Sequence, residues 1–503
     1  MKEIILKYAL QNAIKYEGEA NAGALVGRIV QEKPEYKNRI KELSKEISVI
    51  VSEVNKMSLD EQLIKLQEIA PELLEEKPKE EKHELKPLPN AINGKVVLRL
   101  APFPSGALHI GNTKTYLLNA LYAERYNGKT FLVIDDTVGS QEKQIMKEAY
   151  DLIPEAFKWL KVNFEEPIVY KSDRLEIYYQ YAEELIKKGM AYVCTCNTEI
   201  LRANRANGVE CTHRNQEIFK VLEDWQKMFT MKEGDAVLRL KTDMKYKDPA
   251  FRDRVLFRIS NREHPRVGTK YTIWPMLEFS WAIDDHLLGI THVIRGKDLM
   301  IESEMEKFIW KIFNWKAPEL LHAGLIRIKG VEGVKLSKSK AQAEVKSGEF
   351  IGWDDPRTWS VQSLRRRGFS PESIREFILS IGLNQNDIEV PIDVLYAINK
   401  KMLDPIVNRY FLIEKPVQVD ILNAPEIDVE LNLHPDYPDR GKRFFSTSGN
   451  FYIAKSDIER LEEGKMYRLM DCLNFVVKNN KFVFDSAEHE KYKTAANKGG
   501  IMH

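Results

Sequence analysis

Arg99-Leu-Ala-Pro-Phe-Pro-Ser-Gly-Ala-Leu-His109-Ile-Gly-Asn112 is the stretch on which the fold turns. The apolar run VVLRL at 96–100 reads as a strand, and the proline- and glycine-bearing turn after it brings the backbone close. A helix opens at His109 and runs to about 126. A second apolar run, TFLVI at 130–134, is followed by a long helical stretch over 141–160. Strand, helix, strand and helix of these lengths predict a βαβ unit, and so a parallel sheet with helices on its faces.

The same stretch carries chemistry. A helix N-terminus attracts anions through its free N–H groups and its dipole. Gly106 and Gly111 leave room for a nucleotide, and His109 adds a donor for phosphate or ribose oxygens. Taken alone, such a turn is more often plain packing than a nucleotide site. Further on stands Lys335-Leu336-Ser337-Lys338-Ser339, after Gly330 and Gly333 and before a helix. Two lysines flanking hydroxyls suit the charge that develops on a leaving pyrophosphate, although a solvated loop is the commoner fate of such runs.

Outward from this centre, the 503 residues predict about three or four domains. A 43% apolar share supports a large core, and no apolar run reaches the ~18 residues that a membrane helix needs. The first residues carry acids and lack a cleavage site, and four cysteines are too few for a disulfide framework. A cytoplasmic location is the expectation. Net charge is +1, so RNA, if bound, must lie along one basic face. Residues 1–74 have apolar positions at helical spacing (Ile40, Leu43, Ile47, Ile50, Val51, Val54) and form a helical module. Residues 75–91 lack a usable apolar face and read as a linker. The α/β alternation resumes after a mixed insert, with a helix over 302–313 and a strand over 325–329. From 404 onward short β-prone runs alternate with turns, and a barrel is the expected closure.

The two charged motifs together resemble the paired His-Ile-Gly-His and Lys-Met-Ser-Lys-Ser signatures of class I aminoacyl-tRNA synthetases, with Asn112 in place of the second histidine. Asp135-Asp136-Thr137, Ser172-Asp173-Arg174, Asp284-Asp285-His286, Thr291-His-Val-Ile-Arg295-Gly, Gly352-Trp-Asp-Asp-Pro-Arg357 and Leu364-Arg-Arg-Arg-Gly368 narrow the resemblance. They point to the glutamyl/glutaminyl branch in its archaeal-eukaryotic form, from about residue 96 to the end. Two departures from relatives stand out: Leu277 where bacterial glutamyl enzymes have tyrosine, and Val133 where many have arginine.

The resemblance implies a Rossmann-type catalytic domain in two halves, 92–190 and 267–345. It also implies an acceptor-end-binding insert at 191–266, a helical stem-contact region at 346–403 and a β-barrel anticodon-binding region at 404–503. It implies ATP-dependent activation of glutamate, with Mg2+, and transfer to the 3′ end of tRNA(Glu). tRNA(Gln) stays open as a second acceptor, and no membrane partner is implied. His109, Lys335 and Lys338 are the implied catalytic groups. Pro102, Ser105, Gly106, Gly111, Asn112, Leu336, Ser337 and Ser339 join them around ATP. Arg99, Asp135 and Arg295 are implied for the amino acid, Arg295 because a γ-carboxylate needs a fixed cation. Arg357, Arg365, Arg366 and Arg367 are implied for tRNA. The insert holds further arginines: 202, 205, 214, 239, 252, 254, 262 and 266.

Cys194-Thr-Cys196, fourteen residues, then Cys211-Thr-His213 offers three thiolates and an imidazole, a set suited to tetrahedral zinc. The bland alternative is a group of reduced, half-buried cysteines. For function, the rivals are a glutaminyl-tRNA synthetase and a catalytically impaired tRNA-binding relative.

Overall fold

The computed structural model describes residues 2–16, 18–73, 84–138, 144–330 and 338–502. The chain forms two compact units, Met1–Lys82 and His83–His503.

The first unit is built from α1 (Lys2–Lys15), α2 (Ala22–Glu32), α3 (Ile40–Val54) and α4 (Leu59–Ile69). Of the apolar positions read from α3, Leu43, Ile47, Ile50, Val51 and Val54 are buried, whereas Ile40 is exposed. α4 starts on a reciprocal cap: Ser58 accepts from the Glu61 N–H, and Glu61 accepts from the Ser58 N–H. Gln62 is fully buried and donates to the carbonyls of Gly18, Val54 and Met57, a polar pin inside an apolar core.

In the second unit β1 (Val97–Leu100), α5 (Ile110–Arg125), β2 (Lys129–Ile134), α6 (Ala149–Trp159), β3 (Glu165–Tyr170) and α7 (Leu175–Lys187) follow one another. β1, β2 and β3 run parallel in that order. The helix expected over 141–160 begins only at Ala149. Before it, the Met146 N–H donates to the Pro104 carbonyl (2.9 Å), so this segment serves the proline turn instead of a helix; residues 141–143 lie outside the described residues.

The insert contributes β4 (Ala191–Cys194), α8 (Thr198–Asn207), α9 (Ile218–Met228), β5 (Val237–Leu240), β6 (Val255–Ile259) and β7 (Ile273–Pro275). These strands pair antiparallel in sequence order, so the sheet passes beyond residue 266. α10 (Leu277–Leu287) then leads back to β8 (His292–Gly296), α11 (Met300–Phe313) and β9 (Glu319–Ala323), where β8 and β9 are parallel. β8 begins beside β1: the Thr291 N–H donates to the Val97 carbonyl at 2.9 Å, and the Val97 N–H to Thr291 Oγ1 at 2.9 Å. The parallel β1-β2-β3 sheet thus has the parallel β8-β9 pair beginning beside its β1 edge, and in parallel α/β layouts ligands sit at the carboxyl ends of strands.

β10 (Ile326–Lys329), α12 (Lys338–Lys346), α13 (Val361–Arg366), α14 (Pro371–Ile381), β11 (Ile388–Pro391) and α15 (Ile392–Leu403) come next, with β10 and β11 parallel. The rest is β-rich: β12 (Pro416–Leu422), β13 (Ile427–Asn432), β14 (Lys442–Thr447), β15 (Asn450–Ala454), β16 (Met466–Leu469), β17 (Asn474–Lys478), β18 (Lys481–Ser486) and β19 (Lys498–Met502). Six of these strands form one sheet in the order β15-β12-β18-β17-β16-β19, and β13-β14 is a separate hairpin. Among the described residues the ladder ends at β15 and β19, so the barrel expected here is open.

The linker reading of 75–91 is corrected over its second half. Leu85 and Leu88 are buried in the core of the second unit. The Leu88 N–H donates to the Tyr126 hydroxyl at 3.0 Å, and Pro89 O lies 2.9 Å from His292 Nε2. Two leucines three residues apart were apolar face enough. Among the described residues no helix is long and apolar enough to cross a membrane.

Candidate active site

The turn between β1 and α5 is fixed by its own capping. His109 is the N-cap of α5: Nδ1 accepts from the Gly111 N–H (3.1 Å), and the His109 N–H donates to Asn112 Oδ1 (3.0 Å). With Nδ1 accepting, the neutral ring carries its proton on Nε2. Asn112 therefore closes a reciprocal cap, a task open to an amide and independent of charge. Gly111 lies against the His109 ring.

Gly106 has φ +138°, and its free face is occupied by the chain's own Trp353. The space that a side chain at Gly106 would take is thus filled by an indole. The segment carrying Trp353 is stitched to the turn by Ile110 N–H to Trp359 O (3.0 Å) and Val361 N–H to Leu108 O (2.8 Å). Pro102 is buried and accepts from the Asp135 N–H (3.1 Å), and Ser105 is half-buried. Lys335, Leu336 and Ser337 lie outside the described residues. Lys338 and Ser339 open α12.

Arg99 leaves β1, Asp135 follows β2, Lys171 follows β3 and Arg295 leaves β8, so all four stand near the carboxyl edge of the parallel sheet. Each charge already has a partner. Arg99 pairs with both oxygens of Asp285. Arg295 is bidentate to Glu306 (2.8 and 2.6 Å), and its Nε and Nη2 also donate to Ser303 Oγ. Arg174 pairs with Asp284 (2.7 Å), and Lys171 with Asp135 (3.3 Å). Burial opposes the Arg295 charge, but Glu306 more than offsets it and holds the guanidinium above its ordinary pKa. Burial pulls Lys171 down, against Asp135 and Asp284, which push it up. Asp136, buried behind Asp135, accepts from the Ser172 N–H (2.9 Å) and hydroxyl (2.7 Å) and from the Tyr150 hydroxyl (2.9 Å). Sequence reasoning named Arg99, Asp135 and Arg295 as candidates but did not foresee their partners Asp285, Lys171 and Glu306.

Residues 95–405 match the family described as tRNA synthetases class I (E and Q), catalytic domain, and residues 407–494 match its anti-codon binding domain. This chain belongs to the class I glutamyl/glutaminyl-tRNA synthetase family. The glutamate–tRNA ligase of Pyrococcus furiosus is 45% identical over 482 residues, covering 94% of this chain and 83% of that protein. Its counterpart in Methanocaldococcus jannaschii is 42% identical over 505 residues, covering 100% and 89%.

In this synthetase the four cysteine-cluster residues do come together. Cys194 Sγ and Cys196 Sγ each lie 3.5 Å from Cys211 Sγ, and His213 Nδ1 lies 3.2 Å from Cys211 Sγ and 3.6 Å from Cys196 Sγ. Tetrahedral zinc with bonds of about 2.0–2.3 Å needs donors at about these separations. His213 Nε2 meets Thr195 Oγ1 at 3.0 Å, which orients Nδ1 inward. Burial, then the neighbouring cysteines, push the Cys196 thiol up to about 12, so without a cation this sulfur stays protonated.

The arginines of the synthetase's insert mostly serve the fold. Arg205 donates to the Pro249 and Ala250 carbonyls, Arg214 pairs with Asp253 (3.0 Å), Arg252 donates to Arg205 O (2.8 Å), and Arg254 joins Glu278 to Glu302. Arg239 is buried against the Asp253 carbonyl, Arg262 donates to Val138 O (2.8 Å), and Arg266 pairs with Asp173 (2.6 Å). Arg202 is exposed. Nor do the three arginines at 365–367 form one patch. Arg365 pairs with Glu155 and Arg366 with Asp354, each at 3.1 Å, whereas Arg367 stacks 4.3 Å over Trp359. Arg357 is exposed and clasps Asp355.

Proposed function

We infer that this chain is a glutamate–tRNA ligase, activating glutamate with ATP and passing it to tRNA(Glu). The observation that carries this reading is continuous kinship with archaeal glutamate–tRNA ligases over nearly the whole chain. In the reaction the α-carboxylate of glutamate attacks the α-phosphorus of ATP and pyrophosphate leaves. The resulting mixed anhydride then gives its acyl group to a 2′-hydroxyl of the terminal adenosine and releases AMP. No side chain need be a nucleophile, so catalysis rests on positioning and charge.

Within this reading His109 Nε2–H donates to phosphate oxygens, and Lys335 and Lys338 neutralise the departing pyrophosphate. Pro102, Ser105, Gly106, Gly111, Asn112, Leu336, Ser337 and Ser339 form the nucleotide's surroundings, and Mg2+ shields the phosphates. Asp135 takes the α-ammonium, Arg295 the γ-carboxylate, sharing its guanidinium with Glu306, and Arg99 is the second guanidinium on the amino acid. Arg357 and Arg365–Arg367 face RNA phosphates by leaving their carboxylate and aromatic partners. Cys194, Cys196, Cys211 and His213 hold a structural zinc ion, supported by their separations, and it ties β4 to the loop before α9. The domain limits given under Sequence analysis and a cytoplasmic setting belong to the same reading, with the second unit taken to start at about residue 84.

Pyrophosphate exchange tests it, run with glutamate or glutamine, with and without tRNA. Exchange with glutamate in the presence of tRNA is expected. Exchange with glutamine alone would assign the glutaminyl activity, and none with either would leave a tRNA-binding relative.

A further inference from the structure

Among the described residues, Asp135 has three side-chain donors in place before any substrate arrives. Trp281 Nε1–H reaches Oδ2 at 3.1 Å, Lys171 Nζ lies 3.3 Å from Oδ1, and Thr137 Oγ1 lies 3.3 Å from Oδ1. A carboxylate offers about four lone-pair directions, so the three donors leave one. Their arrangement decides where that last direction points.

The two larger donors are locked in turn. Lys171 is fully buried, and the three hydrogens of its ammonium have three acceptors: Asp135, Ser280 Oγ at 2.8 Å and the Trp281 ring at 3.5 Å. The Arg99 guanidinium lies 3.6 Å from the same ring. Two cations that close to one ring centre cannot share a face, so the indole is sandwiched between them. Trp281, at 2% exposure, thereby spaces Lys171 from Arg99 and holds Asp135 through its N–H.

We propose that Trp281 and Lys171 are positioning residues for the α-ammonium of glutamate, acting through Asp135, with the Trp281 N–H and the Lys171 ammonium aiming the free lone pair of the carboxylate. This rests on the ligase reading above. Neither residue touches the substrate or the phosphates. Their effect falls on the affinity for the amino group and leaves the chemical step alone.

The test is tRNA-supported pyrophosphate exchange with Trp281→Phe, which keeps an aromatic face for both cations and removes the N–H together with the five-membered ring, with folding checked by its melting curve. The loss of one hydrogen bond to a charged acceptor corresponds to about a 10- to 100-fold rise in KM for glutamate. KM for ATP and kcat should stay within a few-fold of the unsubstituted protein. Glutarate, which lacks the ammonium, is the second probe: it should inhibit both proteins with the same Ki. Lys171→Gln, with folding checked by its melting curve, should repeat the pattern. An unchanged KM for glutamate in folded Trp281→Phe overturns the proposal, as does a parallel loss of affinity for glutamate, glutarate and ATP, the mark of general loosening. Failure of the ligase reading is separate and visible first, because the unsubstituted protein would then lack glutamate-dependent exchange.

Discussion

The indole of Trp353 lies where a side chain on Gly106 would stand: a Cβ there would fall 2.5 Å from the ring's Cη2. A residue from the segment before α13 thus packs on the turn that opens α5, and glycine is the one residue that permits it. Gly106→Ala has to move the indole and also adopt φ +138°, where side chains are strained. The expected cost is about 1–3 kcal/mol of stability, with a raised KM for ATP. Thermal melting and ATP titration of exchange measure both. Adding Trp353→Leu should recover much of the stability, and equal melting of the two variants would refute the contact.

Arg295 and Glu306 form a buried bidentate pair, so removing either partner alone strands a charge. Arg295→Met or Glu306→Met should each cost about 3–5 kcal/mol, whereas the double substitution should cost clearly less than the sum. Urea unfolding of the three variants gives the coupling. Exchange activity should be lost in both variants lacking Arg295, whatever their stability.

His322 sits opposite Arg295 in the β8–β9 ladder, with Nε2 2.7 Å from Ser303 Oγ. Burial, and then Arg295 and Lys307, lower its pKa. Below the ordinary histidine value of about 6.5 the unfolded chain therefore binds more protons than the folded one. This contribution to stability is complete above about pH 6.5 and is lost as pH falls through the lower folded value. The melting temperature should drop on acidification from pH 7 towards 5, and His322→Gln should flatten that slope.

Removal of metal addresses the cysteine cluster. The protein as purified should carry about one zinc ion per chain, displaced by a strong chelator with loss of structure around β4 and β5. Metal analysis with a thiol titration checks this. Cys211→Ser should abolish retention, because Cys211 Sγ is the donor closest to the other three. A metal-free protein with unchanged melting would leave only a cluster of thiols.

What could be read from the sequence was local. The start of α5 at His109 follows from a cap whose partners lie within three residues, and the β1-turn-α5 order follows from apolar periodicity. The grouping of Cys194, Cys196, Cys211 and His213 could be read because four soft donors fall close together in a cysteine-poor chain. The charge pairing could not. Arg99 and Asp285 are 186 residues apart, and nothing near either names the other. Arg295 and Glu306 are only 11 apart, but they meet because α11 folds back over β8. The roles of the insert's arginines were illegible for a related reason: guanidinium groups that cap carbonyls look the same in sequence as those that await phosphate.

Leu85 and Leu88 also decide where the chain can be shortened. A piece begun at residue 92 would lack both leucines and leave holes in the apolar core beneath α5 and β1. It would also leave the Tyr126 hydroxyl and His292 without the backbone partners that Leu88 and Pro89 supply. Anyone dissecting the catalytic half from the helical front module should cut ahead of Glu84, because the next eight residues are upholstery for the domain that follows.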